Sequence, residues 1–214
     1  MSLQDLRKQY MQGGLNESDL LGDPIEQFRH WIDEALASNV ADWFEPNAMT
    51  LATSTADGGV TARIVLLKHF DADGFVFFTN YESSKGKQLE ENARAALVMY
   101  WPHLERQVRI EGQVDVVSRE LSEKYFHSRP RGSQVGAVVS QQSFELTSRA
   151  DLCDAAAALE AELNGAPVPL PDFWGGYRVA PERIEFWQGR ESRLHDRILF
   201  ERSGGRWSHK RLAP

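Results

Sequence analysis

The chain has 214 residues, of which 42% are hydrophobic and 26% charged, and its formal net charge is −7. This balance is typical of one globular domain, no apolar run approaches the roughly 20 residues of a membrane-spanning helix, and the acidic excess argues against a nucleic-acid binder, which needs a broad basic face. One cysteine excludes an intrachain disulfide, and the first residues lack the apolar core of a signal peptide, so we expect a cytoplasmic protein without nucleic-acid or membrane partners.

Helix signals come first along the chain. We expect residues 1–22 to form an N-terminal arm and residues 23–214 to form a single domain. Asp23 and Pro24 are typical of a helix start, and apolar residues at helical spacing continue to about residue 38. Further helices are predicted at 83–94, 120–128 and 147–163.

Strand signals occupy most of the remainder. Apolar residues alternate between glycine-containing turns at 56–59 and 71–74, which is typical of antiparallel hairpins. Strands are predicted at 48–54, 60–69, 75–79, 95–101, 106–117, 176–179 with 183–187, 197–201 and 206–212. These elements predict a mainly β fold with peripheral α-helices, built as a small closed or split antiparallel barrel. No Gly-rich dinucleotide or P-loop motif occurs.

Near the C-terminus, the segment Arg193-Leu-His-Asp-Arg197 concentrates cationic groups. Arginine presents a planar fork of donors that suits phosphates and carboxylates, and histidine can donate, accept or change charge near neutrality. On a strand, Arg193, His195 and Arg197 would point to the same side, because side chains alternate between faces. The alternative is a solvated edge strand whose charges discourage aggregation.

Two earlier segments carry groups suited to small anions. The predicted helix entry at Ser83, Ser84 and Lys85 offers hydroxyls, an ammonium group and free backbone N–H groups, although many such entries bind nothing. The strand from Arg63 to Lys68 places four large aliphatic residues between two cations, which could also simply extend into solvent.

A third cluster begins with Tyr125 and Arg129, which lie four residues apart and therefore on one helix face. We expect this helix to stop at Pro130, with a loop carrying Arg131 and Ser133. Hydroxyls and a guanidinium together suit a phosphate group. The alternative is an ordinary helix C-terminus, where an arginine favourably meets the negative end of the helix dipole.

No carboxylate pair, serine nucleophile motif or metal-spaced histidine set stands out, so any difficult chemistry would belong to an organic cofactor. Separate cationic clusters fit a phosphate-bearing cofactor beside a phosphate-bearing substrate. Gln107, Gln142 and Ser143 add neutral groups suited to the edge of a heteroaromatic ring.

In this order, the segments closely resemble the pyridoxine 5′-phosphate oxidase family over nearly the whole chain. The pieces that carry the resemblance are Gln9-Tyr10, Gly13-Gly-Leu15, Arg63–Lys68, Phe78-Thr-Asn80, Arg106-Gln-Val108, Tyr125–Ser133, Gln142-Ser143, Phe173-Trp-Gly-Gly-Tyr177, Arg183–Gln188, Arg193–Arg197 and Arg211–Pro214. Each piece is short, but their shared order makes chance a poor explanation.

The resemblance implies an FMN-binding split β-barrel that works as a homodimer, with FMN at the subunit interface and residues 171–214 as a dimerisation and substrate region. The implied cofactor contacts are Arg63, Ile64, Val65, Leu66, Leu67, Lys68, Phe78, Thr79, Ser84, Lys85, Gln107, Gln142, Ser143, Trp187 and Arg197. The implied substrate contacts are Arg7, Lys8, Gln9, Tyr10, Lys68, Tyr125, Arg129, Ser133, Arg193, Leu194 and His195. Among these, Arg193 and His195 would be catalytic, and no metal is implied.

The implied reaction is oxidation of pyridoxine 5′-phosphate and pyridoxamine 5′-phosphate to pyridoxal 5′-phosphate. Dioxygen would accept the electrons and give hydrogen peroxide, and the amine would also release ammonia. One departure is Ser84, where the family often carries a second cation; without compensation, we expect the lost charge to weaken FMN binding by about 1–3 kcal/mol. The rivals are a split-barrel flavin or deazaflavin reductase with another substrate, and a non-catalytic carrier of pyridoxal phosphate.

Overall fold

The fold, taken from a computed structural model, is described for residues 2, 5, 9–38 and 40–214. The helices are α1 (Pro24–Ala37), α2 (Ser84–Glu91), α3 (Arg119–Ser128), α4 (Arg131–Val139) and α5 (Arg149–Leu163). The strands are β1 (Ala48–Ser54), β2 (Val60–Leu66), β3 (His69–Asp71), β4 (Gly74–Asn80), β5 (Arg94–Trp101), β6 (Arg106–Val116), β7 (Trp174–Gln188), β8 (Asp196–Ser203) and β9 (Arg206–Leu212). The predicted mainly β fold with peripheral helices is confirmed.

All strand pairs are antiparallel and belong to one nine-stranded sheet in the order β2-β1-β5-β6-β7-β4-β3, with β8 pairing β7 and β9. The long strand β7 pairs β4 with its first half and β8 with its second half. The backbone N–H of Lys68 donates to the carbonyl of Val76 at 2.9 Å, so the chain after β2 returns to β4. The sheet is therefore curled into a half-barrel rather than flat.

Gly112 allows the backbones of β6 and β7 to come very close to each other. The register between β6 and β7 shifts between Glu111 and Gly112. A Cβ at Gly112 would lie 1.9 Å from the carbonyl oxygen of Ala180, which no side chain could tolerate. Such an irregularity bends a strand and increases its twist, and this helps the long strands to curl.

The main core lies between the inner face of the sheet and helix α1. Asp23 caps this helix by accepting the N–H of Ile25 at 2.7 Å, and Pro24 occupies its first turn, as predicted. Phe28 and Trp31 are buried and pack edge-on against Phe75 and Phe186 respectively, at 4.9 and 5.1 Å between ring centroids. A second cluster joins α3, α4 and α5 to the start of β7.

Helix α2 differs from its prediction at its end. It stops at Glu91, and Arg94 already begins β5, because the Asn92 side chain donates to Ser54 and its backbone takes an extended conformation. No helix in the described ranges has the length and apolar character that a bilayer crossing would require.

Candidate functional site

A cleft with a volume of about 750 Å³ lies where the end of β2, the end of β4 and helices α2, α3 and α4 meet. Its size is in the range of small-molecule and cofactor sites. It is lined by Arg63, Ile64, Val65, Leu66, Lys68, Phe78, Thr79, Asn80, Lys85, Tyr125, Arg129, Pro130, Ser133, Gly136, Ala137, Ser140, Gln142 and Trp174. Most of the residues predicted for the cofactor and the substrate phosphate are thus brought together.

Lys85 and Arg63 form one cationic end of the cleft. The buried Lys85 Nζ donates to Gln142 Oε1 at 2.5 Å, Ser83 Oγ at 3.0 Å and Thr79 Oγ1 at 3.2 Å, which are all neutral acceptors. Burial, with a smaller contribution from the nearby Arg63 charge, lowers the pKa of Lys85 to about 8. A buried ammonium group without a carboxylate is costly, so this end of the cleft is poised to receive an anion.

Arg63 is held in place by uncharged groups as well. Its Nη1 donates to Thr53 Oγ1 at 2.6 Å and to the Leu51 carbonyl at 3.2 Å, and its Nη2 donates to the Thr61 hydroxyl. Burial lowers its pKa, and no described carboxylate offsets that effect. The guanidinium nevertheless stays charged next to Lys85, because the ordinary pKa of arginine lies far above neutrality.

Arg129 forms a second cationic end. Its guanidinium lies 4.8 Å from the ring centroid of Trp174, and its Nη1 is buried without a hydrogen-bond partner among the described residues. Burial lowers the pKa of Arg129. Phe78 and Tyr125 stack on each other at 4.1 Å between centroids, and Lys68 Nζ lies 6.0 Å from the Tyr125 ring. An orphaned buried donor marks a place where a ligand oxygen fits.

The loop predicted after Pro130 is wrong. A second helix, α4, begins directly after Pro130, where a loop was predicted. Proline is well suited to a helix start, because the N–H that it lacks would have no partner there. Arg131 points away from the cleft, where it pairs with Glu160 at 2.9 Å and donates to Ala166. Ser133 lies on α4 and lines the cleft, as its predicted role requires.

Six of the residues predicted to contact the cofactor do not line the cleft, and three of these lie near it in sequence. The Leu67 side chain is buried in the main core, since the alternation along the strand turns it inward. Ser84 is exposed in the first turn of α2, next to the cap residue Ser83. Ser143 is exposed beside Gln142 and has a φ of 76°, in the left-handed region.

A second group of predicted residues lies on the outward face of β6, β7 and β8, since their neighbours Val108, Phe186 and Ile198 point into the main core. Gln107, Trp187 and Arg197 are direct cross-strand neighbours on β6, β7 and β8, so they form a row on one face. Arg197 is held by a double ion pair with Glu185, at 2.9 and 3.0 Å, which raises its pKa. None of these three residues lines the cleft.

The prediction that Arg193, His195 and Arg197 share a strand face is wrong. Strand β8 begins only at Asp196, and the preceding residues form a tight turn with left-handed φ values of 55° at Ser192 and 63° at Arg193. Two adjacent non-glycine residues in this region store strain, which is typical of functional sites. The turn leaves Arg193 exposed, and Arg193 does not line the cleft of its own chain.

His195 follows this turn and is partly buried. Its Nδ1 accepts the backbone N–H of Arg190 at 3.1 Å, so the proton of the neutral ring resides on Nε2. Burial, followed by the positive charge of Arg193, lowers the pKa of His195 and so favours the neutral ring. His195 can therefore donate a hydrogen bond from Nε2.

The N-terminal contribution is only partly described. The Tyr10 ring packs edge-on against Trp187 at 5.7 Å and His195 at 5.3 Å between centroids. Gln9 is exposed, and Leu194 is also exposed, at 69%. The predicted contacts at Arg7 and Lys8 lie outside the described residues.

Sequence reasoning missed several residues of the cleft wall. Trp174 supports Arg129, and Gly136, Ala137 and Ser140 form a small-residue side of α4 that leaves room for a ligand. The helical spacing of these small residues is a signal for this wall, and it becomes visible when Pro130 is read as the start of a second helix.

Comparison with known proteins agrees with this arrangement. Residues 32–161 match the family described as Pyridoxamine 5′-phosphate oxidase, and residues 174–214 match the Pyridoxine 5′-phosphate oxidase C-terminal dimerisation region. The pyridoxine/pyridoxamine 5′-phosphate oxidase of Rhodopirellula baltica is 52% identical over 217 residues, covering 100% of this chain and 97% of that protein. That of Rubrobacter xylanophilus is 54% identical over 212 residues, covering 99% and 96%.

Solved structures show the same fold. PhzG from Burkholderia lata 383, in complex with tetrahydrophenazine-1-carboxylic acid, has a TM-score of 0.87 and 33% identity and covers 94% of this chain and 98% of its own. A pyridoxamine 5′-phosphate oxidase-related, FMN-binding protein from Nostoc punctiforme has a TM-score of 0.69 at 16% identity, with coverages of 87% and 97%.

A curled half-barrel with a cationic, aromatic-walled cleft and a C-terminal dimerisation region defines a split-barrel oxidoreductase. The chain belongs to the pyridoxamine 5′-phosphate oxidase family, because the two family matches span most of it and relatives of about half identity cover its full length. The match of the last strands to the dimerisation region supports a homodimer.

Proposed function

We propose that the protein oxidises pyridoxine 5′-phosphate and pyridoxamine 5′-phosphate to pyridoxal 5′-phosphate with FMN as cofactor. The alcohol and dioxygen give pyridoxal 5′-phosphate and hydrogen peroxide; the amine, dioxygen and water give the same two products and ammonia. The observation that carries the proposal is the cleft itself, with two separate cationic ends, Arg63 with Lys85 and Lys68 with Arg129. Two such ends suit two phosphorylated ligands.

The end formed by Arg63 and Lys85 fits the FMN phosphate. Lys85 has three neutral hydrogen-bond acceptors and a depressed pKa, so an incoming phosphate provides the negative charge that its surroundings lack. Thr79 and Gln142, which already contact Lys85, can turn their hydroxyl and amide towards the same ligand. Bound FMN would supply the acceptor for the hydride that leaves C4′ of the substrate.

The end formed by Lys68 and Arg129 fits the substrate phosphate. The buried, unpartnered Nη1 of Arg129 can donate to a phosphate oxygen without first giving up another bond. Tyr125 and Ser133 add hydroxyl groups at the same place in the cleft. Trp174, under the guanidinium, fixes its plane and so restricts where the phosphate can bind.

We propose that the outward row completes this site from a second copy of the chain. Gln107, Trp187 and Arg197 would then contact the flavin, and Arg193 with His195 would contact the pyridine ring of the substrate. His195 Nε2 would donate to the ring 3-oxygen, because its Nδ1 is already bonded. Arg193 would hold the substrate and stabilise charge during hydride removal, and the exposed turn suits a residue that serves a neighbouring chain.

The structural relative PhzG supports the first rival, a split-barrel flavin enzyme with a different substrate. The tetrahydrophenazine-1-carboxylic acid bound to PhzG is a carboxylate and not a phosphate ester, as its name states. The unpartnered Arg129, beside Lys68 and two hydroxyl groups, favours the phosphate ester in this chain. The second rival, a carrier of pyridoxal phosphate, gives no account of the Arg63 and Lys85 end.

An aerobic assay of the FMN-loaded protein tests the proposal. With either phosphorylated substrate, pyridoxal 5′-phosphate and hydrogen peroxide should appear together in equal amounts. Bound flavin without turnover of either substrate would support the first rival. A colourless protein that binds pyridoxal phosphate but takes up no FMN would support the carrier.

A further inference from the structure

Residues 9–17 of the N-terminal arm are held by carboxylates from the turn between β5 and β6 and from the start of β8. The Glu105 carboxylate accepts the backbone N–H groups of Met11 and Gln12 at 2.7 and 3.0 Å. Further along, Asp196 Oδ2 accepts the N–H of Leu15 at 3.0 Å. Backbone groups of the arm are therefore held by buried carboxylates rather than by apolar packing alone.

Arg190 joins this arm to the turn that carries the predicted catalytic residues. Its Nη1 donates to the Gly13 carbonyl at 3.3 Å, and its Nε lies 3.1 Å from Asp196 Oδ2. Its own backbone N–H donates to His195 Nδ1 at 3.1 Å. One residue thus touches the arm, the carboxylate that also holds the arm, and the imidazole.

Gly14 shows how closely the arm approaches this side chain. A Cβ at Gly14 would lie 2.5 Å from Nη1 and 2.9 Å from Cζ of Arg190, whereas a Cβ at Gly13 would meet nothing within 4 Å. The three atoms nearest to such a Cβ all belong to Arg190, so a methyl group at residue 14 would push the guanidinium away. The adjacent glycine provides a matched control.

We propose that Arg190 is a positioning residue that latches the N-terminal arm and so holds the Tyr10 ring against His195 and Trp187. The proposal rests on the proposed function, in which His195 meets the substrate ring. Tyr10 reaches both rings with its edge, and it lies only three residues before the Gly13 carbonyl that Arg190 holds. With the latch open, the arm would lose its orientation over the substrate while the cleft itself would stay unchanged.

The test compares Arg190→Ala and Gly14→Ala with Gly13→Ala in the FMN-loaded protein. The first readout is hydrogen exchange of the peptide that contains Met11, Gln12 and Leu15, whose amides are bonded in the latched arm. Exchange should accelerate by roughly 5-fold in both test variants and stay unchanged in Gly13→Ala. The double variant should exchange no faster than Arg190→Ala, because both changes remove one contact.

The second readout is steady-state kinetics. The KM for pyridoxine 5′-phosphate should rise by roughly 5-fold in both test variants, while FMN affinity stays at the wild-type value. Unchanged arm exchange in Arg190→Ala and Gly14→Ala would overturn the latch and leave the proposed function intact. Faster exchange with an unchanged KM would overturn the positioning role. If the wild-type protein failed to turn over, the proposed function would fall, and exchange alone would decide the latch.

Discussion

Replacing Arg193 by leucine should lower kcat by about 10²- to 10³-fold, the usual consequence of removing a group that stabilises charge in a transition state. The Arg193 side chain is exposed on a strained turn and makes no described hydrogen bond within its own chain, so its loss should not destabilise the fold. It adjoins His195, whose pKa it lowers. The measurement is kcat together with the midpoint of thermal unfolding.

Two observations keep the Arg193 result interpretable. The variant should bind FMN with wild-type affinity and remain yellow, because the residues proposed for the FMN phosphate lie in the cleft and not on this turn. Arg206→Leu, which removes an exposed arginine on β9, should retain wild-type turnover. Unaltered kcat in Arg193→Leu would remove this residue from the mechanism.

Replacing Lys85 by methionine should weaken FMN binding by about 10- to 150-fold, the range for a lost hydrogen bond to a charged group. Methionine keeps the length of the buried stem, so the packing beside Ser83 and Thr79 survives while the charge is lost. The dissociation constant can be followed by quenching of flavin fluorescence. An affinity equal to that of the wild type would place the phosphate elsewhere.

The pH dependence of FMN binding gives an independent signature of Lys85. In the cofactor-free protein its pKa is about 8, and a bound phosphate would raise it, so binding above pH 8 must take up a proton. Wild-type affinity should therefore fall by up to about tenfold per unit as the pH rises past 8, and Lys85→Met should lack this slope. A wild-type affinity independent of pH between 7 and about 9.5 would contradict this role for Lys85.

The stability of the cofactor-free protein should rise with pH over the range in which FMN affinity falls. Between about pH 8 and the ordinary value of 10.5, the unfolded chain keeps a proton on Lys85 that the folded chain has lost. Because the unfolded state then binds more protons, this residue makes folding more favourable as the pH rises through that window. Lys85→Met should remove the contribution.

The fold was predictable because its local signals agree with its tertiary structure. Asp23 and Pro24 start α1 as their chemistry requires, and the turn before β2 uses Gly58 with a φ of 93°. The alternation of apolar residues located most of the strands, although the predicted strand 60–69 is divided into β2 and β3, and the two segments predicted at 176–179 and 183–187 form the single strand β7. The sequence indicated a barrel but not where its strands bend, which depends on the register shift between Glu111 and Gly112.

The sequence predicted which residues belong to the candidate site better than it predicted how they are arranged. Pro130 follows the end of α3 and caps the start of α4, and the sequence indicated only the first of these because α4 depends on its packing against α5. Alternation placed Arg193 on a strand face, but two consecutive left-handed residues take it into a turn, and no residue pattern signals that. The role proposed for Arg190 depends on the closeness of Gly14, which is a tertiary contact.

The division of the site between two copies of the chain makes the sharpest prediction. Arg129 lies in the cleft and Arg193 on the outward turn, so Arg129→Met and Arg193→Leu should each inactivate a different half of the same site. In a mixed dimer, one site would carry both substitutions and the other would carry none.

Co-expression of the two inactive variants is the measurement that tests this division directly. Random pairing should yield mixed dimers for about half of the population, and hence roughly a quarter of wild-type activity per site. Preparations of each variant alone, treated identically, provide the baseline. Recovery near a quarter would show that the cleft of one chain works with the turn of another; activity no higher than the mean of the two variants would contradict a shared site.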